Sequence, residues 1–445
     1  MKNFPVMDTA AAFIAAAPGR VYPARVINLA KMCLADWVGV VLGAHEEPAG
    51  LAVRQVVASW QVTGRAHVMG GGTAPAVMAA LVNGTFAHCL DFDDLHFPSL
   101  AHFSAPTWAA VLALGEEMQA TESHMLSAFI TGFEVGARLG AGGMGEAANS
   151  RGWHSTGVVG RLAAAAASAV LLGLDAERAR HCLALAATQT SGLVASFGTD
   201  GKPFHAGRAG SDGIFSAQLA AAGMRGAAGV LDGDTGLARA IAQDGSVCFD
   251  ITGLGETWEL ERNALKPYAS CGFTHAPIDA ARKLSAVLRA ADIAQARIHV
   301  HPLAPKVAGQ LPHSPLAAKF SIAYCVSLGL HGGRALVHDF TPQRLLESSL
   351  LSVTDKVEIV ASDDLGYAAA RLEIKTTNGD EFAADIPASL GNPENPMSWD
   401  DLREKFLVLV APVTGSDGSA LFDTLRDFDR PGQFAQVRSL LWRTH

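Results

Sequence analysis

The chain has 445 residues, three times the roughly 150 expected per domain, so we expect two or three compact units. Its 49% content of hydrophobic residues excludes intrinsic disorder, because such a chain can bury a large apolar core. Lys+Arg 34 against Asp+Glu 43 give a net charge of −9 without any basic run. This charge argues against a nucleic acid or an anionic membrane as a partner, and an anion site would need locally positive groups.

Targeting segments and bound metals are not indicated. The apolar stretch at 10–17 is preceded by only one lysine and is close to Asp8, which makes a poor signal peptide, so we expect a first helix there and a cytoplasmic protein. No charge-free stretch is long and apolar enough to span a membrane. No Cys-x-x-Cys pair occurs, so neither disulfides nor zinc are predicted. The six cysteines are Cys33, Cys89, Cys182, Cys248, Cys271 and Cys325.

Apolar residues recur at helical spacing from the N-terminus to about residue 265, with Gly, Pro, Ser and Asp at the breaks. This periodicity predicts a large all-helical block. Helical patterns return at 399–410 and 420–442, after a segment at 387–396 that is typical of a linker. We therefore expect a mainly α protein in which residues 1–265 and 396–445 form one all-helical domain.

Residues 266–395 show a different pattern and are predicted to be an inserted, smaller α+β lid domain. Polar and apolar residues alternate at 297–300 and again at 356–360, which predicts strands. Residues 371–386 predict a hairpin, because Asn-Gly at 378–379 favours the positive φ angles of a tight type I′ turn. Helical patterns in the same segment cover 276–291 and 316–330.

Four histidines are predicted at or just before helix N-termini. A helix N-terminus presents unpaired N–H groups and a partial positive charge, so it attracts anions. A histidine there can bind a carboxylate or act as a neutral base, although polar residues near helix ends are often structural. Four such cases, one of them beside Lys202 and Arg208, favour a carboxylate site. The four are His102, His154, His205, ahead of a helix predicted at 210–224, and His275.

An acidic run lies close to the first of these histidines. Asp91, Asp93 and Asp94 are followed by His96 and His102, a set that could bind a metal or transfer protons. The spacing matches no named metal motif, so no metal is predicted. Proton transfer fits better, since a carboxylate can orient a histidine and fix its tautomer. The glycine-rich stretches lack the context of a dinucleotide site, and no nucleotide cofactor is predicted.

Four separated motifs resemble the MmgE/PrpD family. They are N-G-T-x-A-H-x-L-D-F-D-D at 83–94, G-W-H-S-T-G at 152–157, K-P-x-H-x-G-R at 202–208 and K-P-Y-x-x-C-x-x-T-H at 266–275. This family includes 2-methylcitrate dehydratase, cis-aconitate decarboxylase and iminodisuccinate epimerase. The resemblance implies a large helical domain with a smaller α+β lid, usually a homodimer, that needs no cofactor or metal. The implied catalytic positions are Asp91, His102, His154, Lys202 and His275.

The chemistries of the family share the formation or protonation of a carbanion-like centre beside a carboxylate, which requires nearby positive charge. We expect Lys202, Arg208 and Lys266 to bind carboxylates. The histidines would divide acid, base and electrostatic roles, and Asp91 would orient one of them. The predicted substrate-binding residues are His96, His205, Arg208, Lys266 and Tyr268.

The predicted function is a cofactor-independent lyase that dehydrates or decarboxylates a small di- or tricarboxylate. A racemase or epimerase of a dicarboxylate is the alternative, because it needs the same proton-transfer groups. A non-catalytic carboxylate-binding protein is the second alternative. Leu95 and Phe103 replace the Thr and Pro that are frequent in the family, which implies a pocket reshaped for a different substrate.

Overall fold

The computed structural model describes residues 5–243, 245–247, 249 and 251–441. Helices account for 59% of the structure and strands for 10%, so the prediction of a mainly α protein is confirmed. Cys248 and the last residue of the helix predicted at 420–442 lie outside the described residues. The other cysteines are buried free thiols.

The first half of the chain is built from helices joined by short connections. They are α1 (Pro5–Ala15), α2 (Ala24–Gly43), α3 (Pro48–Ser59), α4 (Ala76–Cys89), α5 (Ser104–Glu117), α6 (Glu122–Leu139), α7 (Gly145–Ser150), α8 (Ser155–Leu171), α9 (Ala176–Ala187), α10 (Gly201–Ala221) and α11 (Leu237–Ala242). A two-stranded ribbon of β1 (Ala66–His67) and β2 (Thr73–Ala74) interrupts them, which the helical periodicity did not predict.

The second half contains shorter helices around a sheet. The helices are α12 (His275–Ser285), α13 (Ala304–Ala308), α14 (Pro315–Ala318), α15 (Ile322–Leu330), α16 (Pro342–Leu345), α17 (Ser348–Thr354), α18 (Trp399–Thr414), α19 (Gly418–Arg426) and α20 (Gln433–Leu441). The strands are β3 (Ile293–Val300), β4 (Val357–Ala361), β5 (Ala370–Thr376) and β6 (Glu381–Ile386).

Small residues let the central helices approach closely. Gly84 on α4 faces Gly207 on α10, and a Cβ atom on Gly207 would lie only 2.2 Å from Oγ1 of Thr85. The same Cβ would lie 2.3 Å from the carbonyl oxygen of Leu81, so no larger residue fits there without movement. This contact brings the end of α4 close to the first turn of α10, where Lys202 lies.

The sheet has the strand order β4-β3-β5-β6, with β3 and β4 parallel and the other pairs antiparallel. The strands predicted at 297–300 and 356–360 are present within β3 and β4. The predicted hairpin is also present, but of the two predicted turn residues only Gly379 has a positive φ (+92°), a conformation that glycine adopts without strain. The prediction of a type I′ turn was therefore wrong, because that turn needs positive φ at both residues. Helices α12 and α15 pack against the sheet, and this region has a hydrophobic cluster of its own.

Helices α18 and α19 pack against α2 of the first half. Lys405 on α18 is buried, and its ammonium group donates hydrogen bonds to the carbonyl oxygens of Phe92 (2.7 Å) and Lys266 (2.9 Å) and pairs with Asp36. The C-terminal helices are therefore tied to the helical block. The boundaries of a lid domain inserted at 266–395 stay a prediction.

Helix α2 is the one helix among the described residues with the length and hydropathy to cross a membrane. However, 72% of its apolar window is buried inside the protein, where it packs against α4 and α18. The burial fits a core helix, since apolar residues on all sides are typical of a helix surrounded by protein.

Candidate active site

A pocket with about 480 Å³ of space, part of which is open to solvent, lies between the helical block and the region that begins at Lys266. Leucine and phenylalanine side chains form much of its lining, together with a small group of polar residues. This combination is typical of small-molecule sites. The polar lining residues are Asp91, His102, Asn149, His154, Lys202 and Lys266.

A carboxylate between two lysines forms the most strongly charged part of the pocket. Asp91 is buried and pairs with Lys202 and with Lys266, whose Nζ lies 3.1 Å from Oδ2. Lys266 also donates to the backbone oxygen of Asp91 at 2.9 Å. This bond helps to hold Asp91 at φ 52°, which is uncommon for a residue other than glycine.

The net charge of this cluster depends on the pKa of Asp91. Burial acts to raise the pKa of Asp91, but the ammonium groups of Lys202 and Lys266 outweigh it and hold the pKa well below its usual range. Two positive groups thus face one carboxylate, which leaves one net positive charge beside the pocket. A substrate carboxylate would neutralise this charge.

A second carboxylate lies beside two histidines. Nδ1 of His88 makes a 2.8 Å hydrogen bond with Oδ2 of Asp93, whereas Nδ1 of His102 lies 3.2 Å from the same oxygen without the geometry of a hydrogen bond. Burial lowers the pKa of His102, and it lowers the pKa of His88 to about 3. Both rings are therefore neutral near pH 7. The negative charge of Asp93 beside Nδ1 favours the tautomer of His102 that holds its proton on Nδ1, and this tautomer has a lone pair on Nε2, the form that a general base requires.

Among the residues that the structure describes, one group could hold a metal ion. It consists of His88, Asp93 and His102, whose ligand-type atoms lie within 4.8 Å of one another. The contact between His88 and Asp93 is also a normal carboxylate-to-imidazole hydrogen bond. The arrangement thus supports proton transfer without requiring a metal.

His154 belongs to a further pair of histidines. It precedes α8, and its ring stacks against that of His88 at 5.7 Å between centroids. Its Nδ1 atom lies 3.0 Å from Nδ1 of His205. Burial, together with His88 and Lys202, lowers the pKa of His154 well below its ordinary value.

Aromatic and aliphatic side chains complete the pocket. The ammonium group of Lys202 lies 5.2 Å from the ring centroid of Phe320 and 5.6 Å from that of Phe197, within the range of cation–π attraction. Cys271, which the sequence did not assign to the site, also lines the pocket. Burial raises the pKa of its thiol to about 11, so it is protonated and a poor nucleophile at neutral pH.

Three of the residues predicted to bind substrate do not line the pocket and instead bond to other groups of the protein. His96 is fully buried, with Nδ1 2.9 Å from Ser99 and Nε2 3.1 Å from Glu259. The structure therefore does not bring His96 into the pocket, because both of its ring nitrogens already have partners.

Arg208 and Tyr268 also bond to the protein itself. Arg208 is directed outward from α10, where its guanidinium group lies 2.6 Å from Asp212 one helical turn away. The hydroxyl group of Tyr268 donates to Asp279. Neither side chain is part of the pocket lining.

His275 and Phe103 likewise lie outside the lining. Nε2 of His275 donates to the carbonyl oxygen of Ser270 at 3.1 Å, and the ring is close enough to Lys266 for the ammonium group to lower its pKa further than burial alone. Phe103 packs in the helical core against Phe133. The expectation that Phe103 reshapes the pocket is therefore not supported, whereas Leu95 does line it.

The predicted helix starts hold at three of the four histidines. Helices α5, α8 and α12 begin within one residue of the predicted positions. The helix predicted at 210–224 instead begins at Gly201, so Lys202 lies in its first turn and His205 in its second. The sequence Gly-Lys-Pro at 201–203 is compatible with a helix start, because proline is favoured in the first turn.

Comparison with known protein families agrees with the resemblance that the four sequence motifs show. The family model described as the MmgE/PrpD N-terminal domain matches residues 8–249, and the one described as the MmgE/PrpD C-terminal domain matches residues 268–425. The chain belongs to the MmgE/PrpD family.

Curated relatives match over most of their length. A cis-aconitate decarboxylase-like protein, oryM, of Aspergillus oryzae is 29% identical over 431 residues, which cover 89% of this chain and 88% of the relative. A cis-aconitate decarboxylase of Aspergillus terreus is 27% identical, with 94% and 92% covered. The cis-aconitate decarboxylase of Homo sapiens is 28% identical, with 86% and 83% covered. These relatives support an enzyme of the lyase class.

Sequence reasoning missed several residues that shape the site of this MmgE/PrpD protein. His88 was part of a motif but received no role, although a histidine five residues before Asp93 is a usable signal. Lys319 donates from a buried position to the carbonyl oxygen of Leu90 at 2.6 Å, next to Asp91. Lys319 follows Pro315-Leu-Ala-Ala318 and precedes Phe320, and a lysine within such a nearly uncharged, apolar stretch was the signal available for a buried support.

Proposed function

We propose that this MmgE/PrpD protein is a lyase that removes CO₂ or water from a small di- or tricarboxylate by cofactor-independent proton transfer. The observation that carries the proposal is the cluster of Asp91, Lys202 and Lys266 beside His102. It combines a net positive charge with a neutral histidine, His102, whose Nδ1 lies 3.2 Å from Asp93. The names of the relatives favour decarboxylation of a tricarboxylate such as cis-aconitate.

In the proposed reaction, Lys202 and Lys266 bind the substrate carboxylates and neutralise the charge that develops on the neighbouring carbon. Loss of CO₂ breaks a carbon–carbon bond and leaves the electron pair on that carbon. His154, which lines the pocket and can hold its proton on Nε2, then donates that proton to the carbon. In a dehydration, the same histidine would instead remove a proton from the carbon before water departs.

An epimerase stays the alternative, and the observation that favours it is that both His102 and His154 line the pocket. One ring could remove a proton and the other could return it on the opposite face. A binding protein without turnover is the second alternative, since the positive cluster alone would hold a polycarboxylate. The homodimer and the cytoplasmic location remain predictions.

Turnover in deuterated water distinguishes these functions. The protein is incubated with cis-aconitate, with 2-methylcitrate and with iminodisuccinate, and products are followed by NMR. A lyase releases CO₂ or water and incorporates deuterium at one carbon of a decarboxylated product. Exchange of a substrate proton without loss of mass would indicate an epimerase, and a thermal shift without any turnover would indicate a binder. The Lys202→Met variant, which removes one positive charge from the pocket, is the control: turnover that occurs at this site should be lost in it.

A further inference from the structure

A half-buried histidine lies behind the pocket and contacts the histidine that lines it. His205, in the second turn of α10, is partly exposed, whereas His154 is 2% exposed. Their Nδ1 atoms lie 3.0 Å apart, a normal hydrogen-bond distance. His205 is not part of the pocket lining. It therefore connects the buried ring of His154 to the outside of the protein.

The Nδ1-to-Nδ1 contact couples the proton positions of the two rings. A hydrogen bond between two ring nitrogens requires one to be protonated and the other to hold a lone pair. When Nδ1–H belongs to His205, a neutral His154 holds its own proton on Nε2 and can act as an acid. When Nδ1–H belongs to His154, its Nε2 atom has a lone pair and can act as a base.

The surroundings keep both rings neutral. Burial lowers the pKa of His205 to about 4, and the nearby Lys202 and Arg161 contribute in the same direction. Burial also lowers the pKa of His154, with Lys202 and the neighbouring histidines acting in the same direction. Arg161 is itself held by Asp212 and Ser191, so its charge is fixed beside the pair. One shared proton thus decides the state of His154.

We propose that His205 is a positioning residue that sets the tautomer of His154 and relays solvent protons to it. This inference rests on the proposed function, with His154 as the proton donor. When Nε2–H of His154 passes its proton to the substrate carbon, Nδ1–H of His205 moves to Nδ1 of His154, and water protonates Nε2 of His205. One proton leaves the solvent and one forms the new C–H bond, so the transfer balances. The pair resets through water after the product leaves.

Two substitutions separate the relay from simple packing. In His205→Asn, the amide can still form a hydrogen bond to Nδ1 of His154 but cannot pass a proton onward. In His205→Ala, the space is vacated and is open to imidazole added to the buffer. A general acid or base contributes at least about 10²-fold to the rate, and a residue that acts through such a group should contribute less. We therefore expect both variants to lower kcat at least about 10-fold, while KM changes less than about threefold.

Two readouts distinguish a relay from a structural role. Imidazole should restore much of the lost kcat to His205→Ala, and the solvent isotope effect on kcat should rise in His205→Asn, because proton delivery becomes slower. The control is His45→Asn, a partly exposed histidine in the connection between α2 and α3 that does not line the pocket. A kcat of His205→Asn within about twofold of the wild type would overturn the proposal, as would a loss in His205→Ala that imidazole does not restore.

A measurement without substrate keeps this inference distinct from the proposed function. Nitrogen-15 NMR of labelled histidines reports which ring nitrogen of His154 holds the proton. We expect the tautomer populations of His154 to change in His205→Ala relative to the wild type. If the wild type turns over no carboxylate, a changed tautomer still supports the coupling of the two rings. Unchanged nitrogen shifts of His154 would overturn it.

Discussion

The two walls of the pocket differ in chemistry. The helical wall contributes Asp91, His102, His154 and Lys202, each buried beside a charged or polar partner, whereas the opposite wall contributes one lysine, Lys266, and otherwise mostly apolar side chains. Proton transfer needs groups whose tautomers and distances are fixed, and the packed helices supply them. The apolar wall can change shape without disturbing that network. We therefore expect turnover and substrate selection to depend on different walls.

The largest expected effects lie on the helical wall. Replacement of His102, His154 or Lys202 singly by Ala should lower kcat at least about 10²-fold, because each removes a proton-transfer group or a charge that stabilises the carbanion. Steady-state kinetics with the substrate identified by NMR measure the effect. Near-wild-type rates in all three variants would contradict the assignment of chemistry to this wall.

Stability tests the charge cluster that joins the walls. Asp91→Asn leaves the buried ammonium groups of Lys202 and Lys266 without a counter-charge, which should lower the free energy of unfolding by about 3–5 kcal/mol. Urea unfolding followed by circular dichroism measures this change.

The matched control for Asp91→Asn is an exposed ion pair. Arg297 and Glu358 lie 2.9 Å apart with half-exposed side chains, so Glu358→Gln should lower the free energy of unfolding far less than Asp91→Asn does. Equal losses in both variants would mean that the pairing of Asp91 contributes no more than a surface pair.

The helical wall was the more predictable of the two from sequence. Periodicity located its helices, and the histidines at helix starts pointed to His102 and His154. The beginning of α10 was missed because the glycines and proline near Lys202 are typical of a loop, while tertiary contacts with α4 favour a helix there. Local propensity is a weak signal when packing decides.

The opposite wall was harder to predict, because side-chain direction depends on contacts that are distant in sequence. His275 was placed correctly at a helix start, yet its ring donates to Ser270 and does not line the pocket. His96 was near the right residues in sequence but lies behind them, bonded to Glu259, which is more than 160 residues away. Composition and spacing contain no information on such pairings. Among the apolar lining residues, the sequence pointed only to Leu95.

Substrate selection tests the apolar wall. Leu303→Ala enlarges the pocket and should change the ratio of kcat/KM between a tricarboxylate and a smaller dicarboxylate by about 10-fold or more, since a few methylene groups are worth about 1–3 kcal/mol. The kcat for the best substrate should change far less than in the His102→Ala variant. Leu346→Ala, at a side chain that is 78% exposed, is the control. A loss of kcat as large as that of His102→Ala would place Leu303 in the proton-transfer network.

The smallest expected effect concerns His275, the histidine beside the apolar wall. Burial, with Lys266 nearby, lowers its pKa from 6.5 to about 3. Below pH 6.5 the unfolded chain therefore binds a proton that the folded protein does not, and this difference lowers stability as pH falls. Because one proton corresponds to about 1.4 kcal/mol per pH unit, the wild type should lose that much more stability than His275→Asn for each unit between pH 6 and pH 4.

The difference in slope does not depend on any hydrogen bond that His275→Asn removes, because such a loss shifts the unfolding free energy equally at each pH. Urea unfolding of the wild type and of His275→Asn at pH 6, 5 and 4 measures this difference in slope. The control is His313→Asn, at an exposed histidine. Equal slopes in the wild type and His275→Asn would mean that the ring is protonated when folded. A protonated His275 next to Lys266 would add a second positive charge to the apolar wall, which would then take part in binding the substrate carboxylates.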